Sequence, residues 1–491
     1  MNLLRNNTLE VKDLSFQIGG KKLIDSVSFN VAAGEIVLIC GVSGSGKSTL
    51  ANIINGYFPE YGGKQTVESI RINGEDVQRQ SVVERSSSVR TIFQNARLSF
   101  SMKTLREEMI FVLENDRVDI KEMDAIVIER ARHFGLEYLL DRSFDDLSGG
   151  ELQRAAFVCA DLVDVPLYIM DEPFANVDEE TMQDYIGYMK ESVEKGKSIL
   201  IIDHHVDRWS WVDRWLLLDR NKQLHDLSLN ESDSMKRELL KNEGILVDAS
   251  SVEKRDTASE DILLELDKVS VYHEKTVRKS LFRKETHTNT LLEEADMKLN
   301  RGSLTALVGP SGIGKTSLFR AILNVSPYKG EIRLKGESVT ILEPKDLYSK
   351  IGLVFQDPSL QFVKTKVLDE MVLSLTAWNT LEEEKAASEA REILGRHHFD
   401  DQIDKSPWVM SQGQQRRLAV LCMTVGDQQL LLVDEPTYGQ DARNSRKIMD
   451  KINDLCQKGM TCLFTSHDRE LVDAYADQVY EIREKKVWQL K

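Results

Sequence analysis

The chain has 491 residues, a net charge of −16 and 41% hydrophobic content, enough for two or more domains with substantial cores. No run approaches the ~18 consecutive apolar residues of a membrane-spanning helix, and residues 1–7 lack a signal peptide's apolar core, so membrane work is expected to go through a partner. The acidic balance argues against a general nucleic-acid-binding surface, and five cysteines placed singly, with no C-x-x-C pair, point to buried reduced thiols rather than disulfides or zinc.

Residues 9–29 alternate apolar and polar positions (Leu9, Val11, Leu14, Phe16, then Val27 and Phe29) around Gly19-Gly20, which predicts an antiparallel hairpin. The apolar run 35–40 reads as a buried parallel strand and leads into Gly41-Val42-Ser43-Gly44-Ser45-Gly46-Lys47-Ser48, a full match to the phosphate-cradling pattern G-x-x-x-x-G-K-[ST]. Glycines let such a loop wrap closely and turn its N–H groups inward, where an anion also meets the positive end of the following helix. The motif predicts that Gly41, Ser43, Gly44, Gly46, Lys47, Ser48 and Thr49 bind a nucleoside triphosphate. Lys47 would lie on the β/γ-phosphates and Ser48 on Mg2+. A helix over 49–55, a turn at Asn73-Gly74 and an apolar run 89–93 ending at Gln94 follow, and the sequence is helical and charged to Asp146.

Leu147-Ser148-Gly149-Gly150-Glu151 then opens a helical pattern, and glycines at a helix start form an anion site of free N–H groups. The apolar strand 167–170 ends in Asp171-Glu172-Pro173. Taken alone, such a pair is a solvated strand end; one α/β domain after a P-loop, Asp171 is expected to hold Mg2+ and Glu172 to orient or deprotonate a water. The strand 198–202 ends in Asp203-His204-His205, where parallel sheets place their chemistry. Trp209, Trp211 and Trp215 read as core.

The second half repeats the set: Gly309-Pro310-Ser311-Gly312-Ile313-Gly314-Lys315-Thr316, followed by Ser317, then Gln356, Ser411-Gln412-Gly413-Gln414, Asp434-Glu435 and His467. Ser148 and Ser411, Glu172 and Glu435, and His204 and His467 are each 263 residues apart, so this half of the domain recurs without net insertion. The P-loop lysines are 268 apart and the glutamines 262. Residues 227–262 are polar and charged and read as a linker, with a short helix over 235–241, between domains at 1–226 and 263–491. Roughly 36 flexible residues span about 30–36 Å, enough for the two halves to face each other.

These residues resemble the ATP-binding cassette of ABC proteins, with P-loop, Gln94, signature, Asp171-Glu172, D-loop Asp178 and switch His204 in the family's order. The resemblance implies two tandem P-loop NTPase domains of α/β class, each with a mostly parallel core sheet, an antiparallel β layer and a helical subdomain. It implies catalytic roles for Glu172, His204, Gln94, Glu435, His467 and Gln356. Ser148, Gly150, Ser411 and Gly413 become nucleotide contacts alongside Gly309, Ser311, Gly312, Gly314, Lys315, Thr316 and Ser317. Mg2+ would be held by Ser48, Gln94, Asp171, Thr316, Gln356 and Asp434. In that family the signature of one cassette closes over the P-loop of another, so the implied pair is intramolecular, Lys47 facing the 411–414 signature and Lys315 that at 148–151. Gln412 then stands where the other signature has Gly149, and Glu151 where the family usually has Gln.

Tandem cassettes also occur in translation factors on ribosomes, but those resemble one another in a long basic inter-cassette arm, whereas this stretch is short and mixed in charge. Asn52-Ile53-Ile54-Asn55-Gly56-Tyr57-Phe58-Pro59, Phe355-Gln356-Asp357-Pro358-Ser359-Leu360-Gln361-Phe362, Ser411-Gln412-Gly413-Gln414 and Glu435-Pro436-Thr437-Tyr438-Gly439-Gln440-Asp441 look like the fused ATPase subunits of energy-coupling-factor (ECF) importers. Those take up vitamins or metal ions through a transmembrane-coupling subunit and a substrate-capturing subunit, which implies a peripheral place on the cytoplasmic face of the cell membrane. Another importer or an exporter ATPase is the alternative. The apolar residues after each glutamine, in 95–109 and 357–371 (Leu98, Phe100, Met102, Leu360, Phe362 and Val363), are the expected partner surface, with a core role as the plain alternative. The family's adenine-stacking aromatic aligns with Ile18 and His273, near Phe16 and Tyr272, and the basic insertion 273–284 reads as a solvated hairpin or a lipid or regulator contact.

Overall fold

The apolar run before the first P-loop forms the strand Ile36–Cys40, buried along four of its five residues because parallel strands covered on both faces leave no polar side. In this computed structural model residues 6–94, 96–147, 149–174, 177, 179–212, 214–227, 233–246, 261–280, 283–310, 312–379 and 381–491 are described. The expectations for Ser148, Asp178 and Ser311, and for the side chains of Leu98 and of residues 273–284, lie outside the described residues. The chain divides into two compact units, Met1–Val247 and Asp248–Lys491.

In the first unit, Ile36–Cys40 pairs in parallel with Arg214–Leu218 on one side and Ser198–Ile202 on the other. Leu167–Asp171 and Val89–Ile92 continue the sheet, and the antiparallel Leu224–Asp226 closes one edge. A second, antiparallel sheet begins with the expected hairpin Asn7–Ile18 and Lys21–Ala32, whose turn places Gly19 and Gly20 at positive φ. The helix Lys47–Ile54 packs Leu50, Ile53 and Ile54 into the core between the sheets, with Leu9, Val11, Ile39 and Leu200. On the parallel sheet's other face, Leu105–Asn115, Ile120–His133 and Gly149–Asp161 form the helical subdomain. Thr104 and Glu107 start the first of these with a reciprocal capping box.

The second unit repeats this plan. Its sheet runs Ile351–Val354, Leu430–Val433, Thr461–Thr465, Leu304–Val308, Gln478–Arg483 and Lys486–Gln489, again with the P-loop strand inside and an antiparallel edge. Its antiparallel layer contains the hairpin Ile262–Ser280 and Arg283–Asn300, so the described residues of the basic insertion lie in two paired strands, in register from Tyr272 opposite Thr290 as far as Arg278 opposite Lys284. The anticipated tandem α/β architecture is present in both units.

The stretch read as a linker contains the short helix expected there, as Asp233–Glu243, and what was not expected is its packing: Leu240 and Ile245 are buried in the first unit's core, and Arg220 donates to Glu243 O at 2.6 Å. Phe16 is buried against Phe58, with ring centroids 4.9 Å apart, and is core rather than a free face for adenine. Trp209 is wholly buried and stacked on Phe174, as expected of core. All five cysteines are buried and outside any disulfide, and burial pushes the Cys40 and Cys422 thiols up to about 12.

Candidate nucleotide-hydrolysing sites

At Gly46, φ is 117° and a Cβ would sit 2.5 Å from Leu23 O, so the turn into the helix Lys47–Ile54 admits only glycine. Gly314, at φ 115°, makes the same turn into Lys315–Ile322. Neither helix start has a side-chain cap or an acidic residue in its first turn, which leaves N–H groups and a positive dipole end for an anion. Lys47 Nζ donates to Gly41 O at 2.7 Å and Val42 O at 3.1 Å, and Lys315 Nζ to Gly309 O at 2.6 Å and Pro310 O at 3.1 Å. Each ammonium thus lies across its own loop. Burial lowers the pKa of both lysines, while the Asp-Glu pair beside each works against that shift.

The carboxylates stand at the ends of their strands as predicted. Thr316 Oγ1 donates to Asp434 Oδ2 at 2.6 Å, and Thr465 Oγ1 fixes the other oxygen at 2.7 Å. In the first unit Ser48 hydrogen-bonds Asp171, whose pKa burial raises to about 6 against that bond and with help from Glu172. A hydroxyl beside a carboxylate is the hard-oxygen set that suits Mg2+, and with the open helix N-terminus and buried ammonium it fits a Mg2+-bound triphosphate.

Glu172 is held from two sides. Gln94 Nε2 donates to Oε2, and His204 Nδ1 lies 2.7 Å from Oε1. Burial disfavours the charged imidazole, but the hydrogen bond and charge of Glu172, with Asp203, outweigh it and raise the His204 pKa. Asp203 is itself fixed by the backbone N–H groups of His204 (2.7 Å) and His205 (2.9 Å) and by Trp209 Nε1 at 2.9 Å. In the second unit the other imidazole nitrogen is used: His467 Nε2 lies 3.1 Å from Glu435 Oε1 and 3.2 Å from Lys315 Nζ. The Gln356 side chain is exposed, and the backbone carbonyl of this residue accepts from Arg416.

The signature helices carry features that the motif does not reveal. Ser411 caps Gln412–Cys422 in a reciprocal box with Gln414, so one of the N–H groups expected to be free is already bonded. In the other helix, Glu151 has Arg142 at 3.8 Å and Tyr138 at 3.4 Å, which offsets its charge. Arg416, wholly buried, donates at 2.9 Å to the carbonyls of Glu435, Pro436 and Tyr438 as well as to Gln356. Burial lowers its pKa to about 10.

The residues after each glutamine divide between surface and core. Phe362 is 7% exposed and belongs to the core, whereas Leu360 and Val363 are 74% and 70% exposed. Phe100 is half-buried and stacked on Phe144, and Met102 is exposed. Two residues that sequence reasoning missed set this segment. Buried Glu108 accepts from the N–H groups of Ser101 and Met102, and buried Glu370 from those of Val363 and Lys364. They are 262 residues apart, the same spacing as the two glutamines, which is the signal that could have found them.

Two P-loops delivered by parallel strands, each facing an Asp-Glu pair that ends the next strand but one, with the strand leading to the histidine between them, define a tandem P-loop ATPase. The chain belongs to the ABC transporter family, whose family model matches residues 24–175 and 292–438. It is an ATP-binding subunit of that family, and its activity is ATP hydrolysis. A Bacillus subtilis relative named "Putative HMP/thiamine import ATP-binding protein YkoD" is 31% identical over 96% of this chain and 89% of its own length. A Streptococcus mutans "Putative ABC transporter ATP-binding protein" is 29% identical over 98% and 90%. Among solved structures, a chain of "Model of ribosome-bound archaeal Pelota and ABCE1" superposes with TM-score 0.61 at 20% identity, covering 97% of this chain and 78% of that one, a likeness of fold alone. Among the described residues no helix is long and apolar enough to cross a membrane.

Proposed function

We propose that this chain is the ATP-hydrolysing subunit of an ECF-type importer of a vitamin or metal ion, working through membrane-embedded coupling and substrate-capturing subunits. The observation that carries the reading is the end-to-end likeness to a relative whose name specifies HMP/thiamine import. ATP with Mg2+ supplies the phosphoryl group and the charge that screens its oxygens. Lys47 and Lys315, with the loop N–H groups and the hydroxyls of Ser43, Thr49 and Ser317, bind and orient the phosphates. Ser48 with Asp171, and Thr316 with Asp434, hold Mg2+, Gln94 and Gln356 completing each set; the signature contributes Ser148, Gly150, Ser411 and Gly413. Glu172 and Glu435 orient the attacking water and receive its proton, and His204 and His467 keep each carboxylate aimed. Exposed Leu360 and Val363 form part of the surface that meets the membrane subunits.

The test is purification of the full chain with its membrane subunits, reconstitution in proteoliposomes, and assay of ATP-dependent movement of thiamine, HMP and cobalt ion. Inward movement of a vitamin or metal ion is expected, and Leu360→Asp with Val363→Asp should abolish it while ATP binding survives. Outward movement alone, or recovery of the chain on ribosomes without membrane subunits, would overturn the reading.

A further inference from the structure

The second unit contains a cavity of about 390 Å3 between the signature helix Gln412–Cys422 and the helix Ala442–Gln457. None of its eight lining side chains is acidic. Arg417, Lys447 and Lys451 bring positive charge, His397 and His398 sit at the end of Glu383–Arg396, and Val420, Leu421 and Ile448 make an apolar wall. Among the described residues neither Lys447 nor Lys451 forms an ion pair, although Lys451 is half-buried. Arg417 lies over the Phe399 ring and donates to His397 O at 2.6 Å, which fixes one edge of the cavity.

The first unit shows how this space is filled when it has no ligand to take. Its helices Ile120–His133 and Glu179–Glu194 end 263 residues before Glu383–Arg396 and Ala442–Gln457, so the register of the signature holds here too. By that register His397, Val420, Ile448 and Lys451 stand where the first unit has Phe134, Phe157, Tyr185 and Tyr188. Those four rings pack on one another, Phe134 on Tyr188 at 4.4 Å, Phe134 on Phe157 at 5.6 Å and Phe157 on Tyr185 at 5.6 Å. Lys447 likewise replaces Asp184, and His398, at φ 59°, replaces Gly135, at φ 65°. One unit closes the space with an aromatic plug, and the other opens it and lines it with cations.

We propose that this cavity is a binding site for a small polyanion carrying two or more phosphate or carboxylate groups, its carbon frame against Val420, Leu421 and Ile448. The cations held beside an apolar wall repel one another, and Asp454, the acid that acts on Lys451 from the same helix, forms no ion pair with it, so a bound counter-charge stabilises them; the volume falls within the range of small-molecule pockets. The site bridges the signature helix and the helix that begins seven residues after Glu435, so its ligand would resist their relative movement and thereby change ATP turnover. His397 supplies a local reporter. Its pKa is held at about 4, first by burial and then by Lys451, Arg417, Arg396 and His398, so an anion that offsets those charges raises it.

The experiment uses the full chain with Lys47→Ala and Lys315→Ala, which weaken anion binding at the P-loops. Pyrophosphate and citrate are titrated by calorimetry, and the His397 ring is followed by NMR. Saturable binding of at least one probe is expected, with the His397 titration moving toward the ordinary histidine range. Lys451→Met should weaken it about tenfold or more, and Val420→Phe with Lys451→Tyr, copying the first unit, should abolish it. Response to pyrophosphate alone assigns a phosphate ligand, and response to citrate a polycarboxylate. If neither probe moves His397, or if Lys451→Met binds as tightly as its parent, the proposal fails even should the double substitution disturb folding.

Discussion

Glu172 and Glu435 share a backbone that glutamate rarely adopts, with φ of 47° and 49°. Such a conformation costs on the order of 1–3 kcal/mol, and here the next strand holds it, through Glu172 N to Ile202 O and Glu435 N to Thr465 Oγ1, both at 2.8 Å. Its recurrence in two units points to a shared demand, the aim of the carboxylate past the strand end. Beside it, His205 carries a different tension. Burial first, then His204 and Arg208, push its pKa down to about 3 against the pull of Asp203. Because this folded value lies below the ordinary 6.5, the unfolded chain binds more protons between the two, so the contribution of His205 to the stability of the first unit is full above pH 6.5 and is lost as pH falls toward 3. The slope from this one group is at most about 1.4 kcal/mol per pH unit. His205→Gln should flatten the decline of Tm between pH 6.5 and 4, and an unchanged decline would assign the acid sensitivity elsewhere.

The two signature helices hold their units together by different means. Arg416 bonds four carbonyls across two loops, those of Gln356 and of the Glu435–Tyr438 turn, while the first unit has Gln153 at that register, with its Nε2 buried and without a hydrogen-bond partner. Arg416→Gln removes those four bonds and should cost roughly 2–4 kcal/mol of stability. It should also lower kcat more than it raises KM, because the loops it ties carry Gln356 and Glu435 rather than the P-loop; Arg416→Lys should recover part of the stability and of kcat. Equal loss of kcat in both variants at unchanged Tm would count against a positioning role. This residue was not legible in the sequence, since Gln415-Arg416-Arg417 on a helix reads as a solvated face and its burial depends on a turn about twenty residues away. The P-loops, strand-end carboxylates and first hairpin were legible because each is written in one continuous stretch of sequence. Packing of Asp233–Glu243 was not, because a charged segment whose core contacts are confined to Leu239, Leu240, Ile245 and Leu246 at its end carries too weak an apolar stripe to separate from a linker.

At the scale of the whole chain, the repeat spacing made the two-unit plan readable, and the differences between the units became readable only with side chains in place. Both units keep a P-loop lysine across its loop, an aspartate beside a hydroxyl, and a glutamate beside a histidine. The contacts are nonetheless unlike, because His204 meets Glu172 through Nδ1, whereas His467 Nε2 is hydrogen-bonded to Lys315 Nζ and lies 3.1 Å from Glu435 Oε1 without a hydrogen bond to it. A unit that had lost hydrolysis would have no reason to keep its glutamate in a strained backbone, so both are expected to turn over ATP, at unequal rates. Removing one well-placed transition-state group costs about 3–4 kcal/mol, so Glu172→Gln and Glu435→Gln should each slow its own unit by roughly a hundredfold or more. Independent units would leave each single variant with its partner's share of turnover; coupled units would drop each well below half, and the double variant would retain bound ATP without cleaving it. The coupled outcome is expected, measured as steady-state phosphate release together with nucleotide retained after gel filtration. If Glu172→Gln left turnover untouched while Glu435→Gln abolished it, the first unit would be a nucleotide clamp, and the shared backbone strain would need a reason other than hydrolysis.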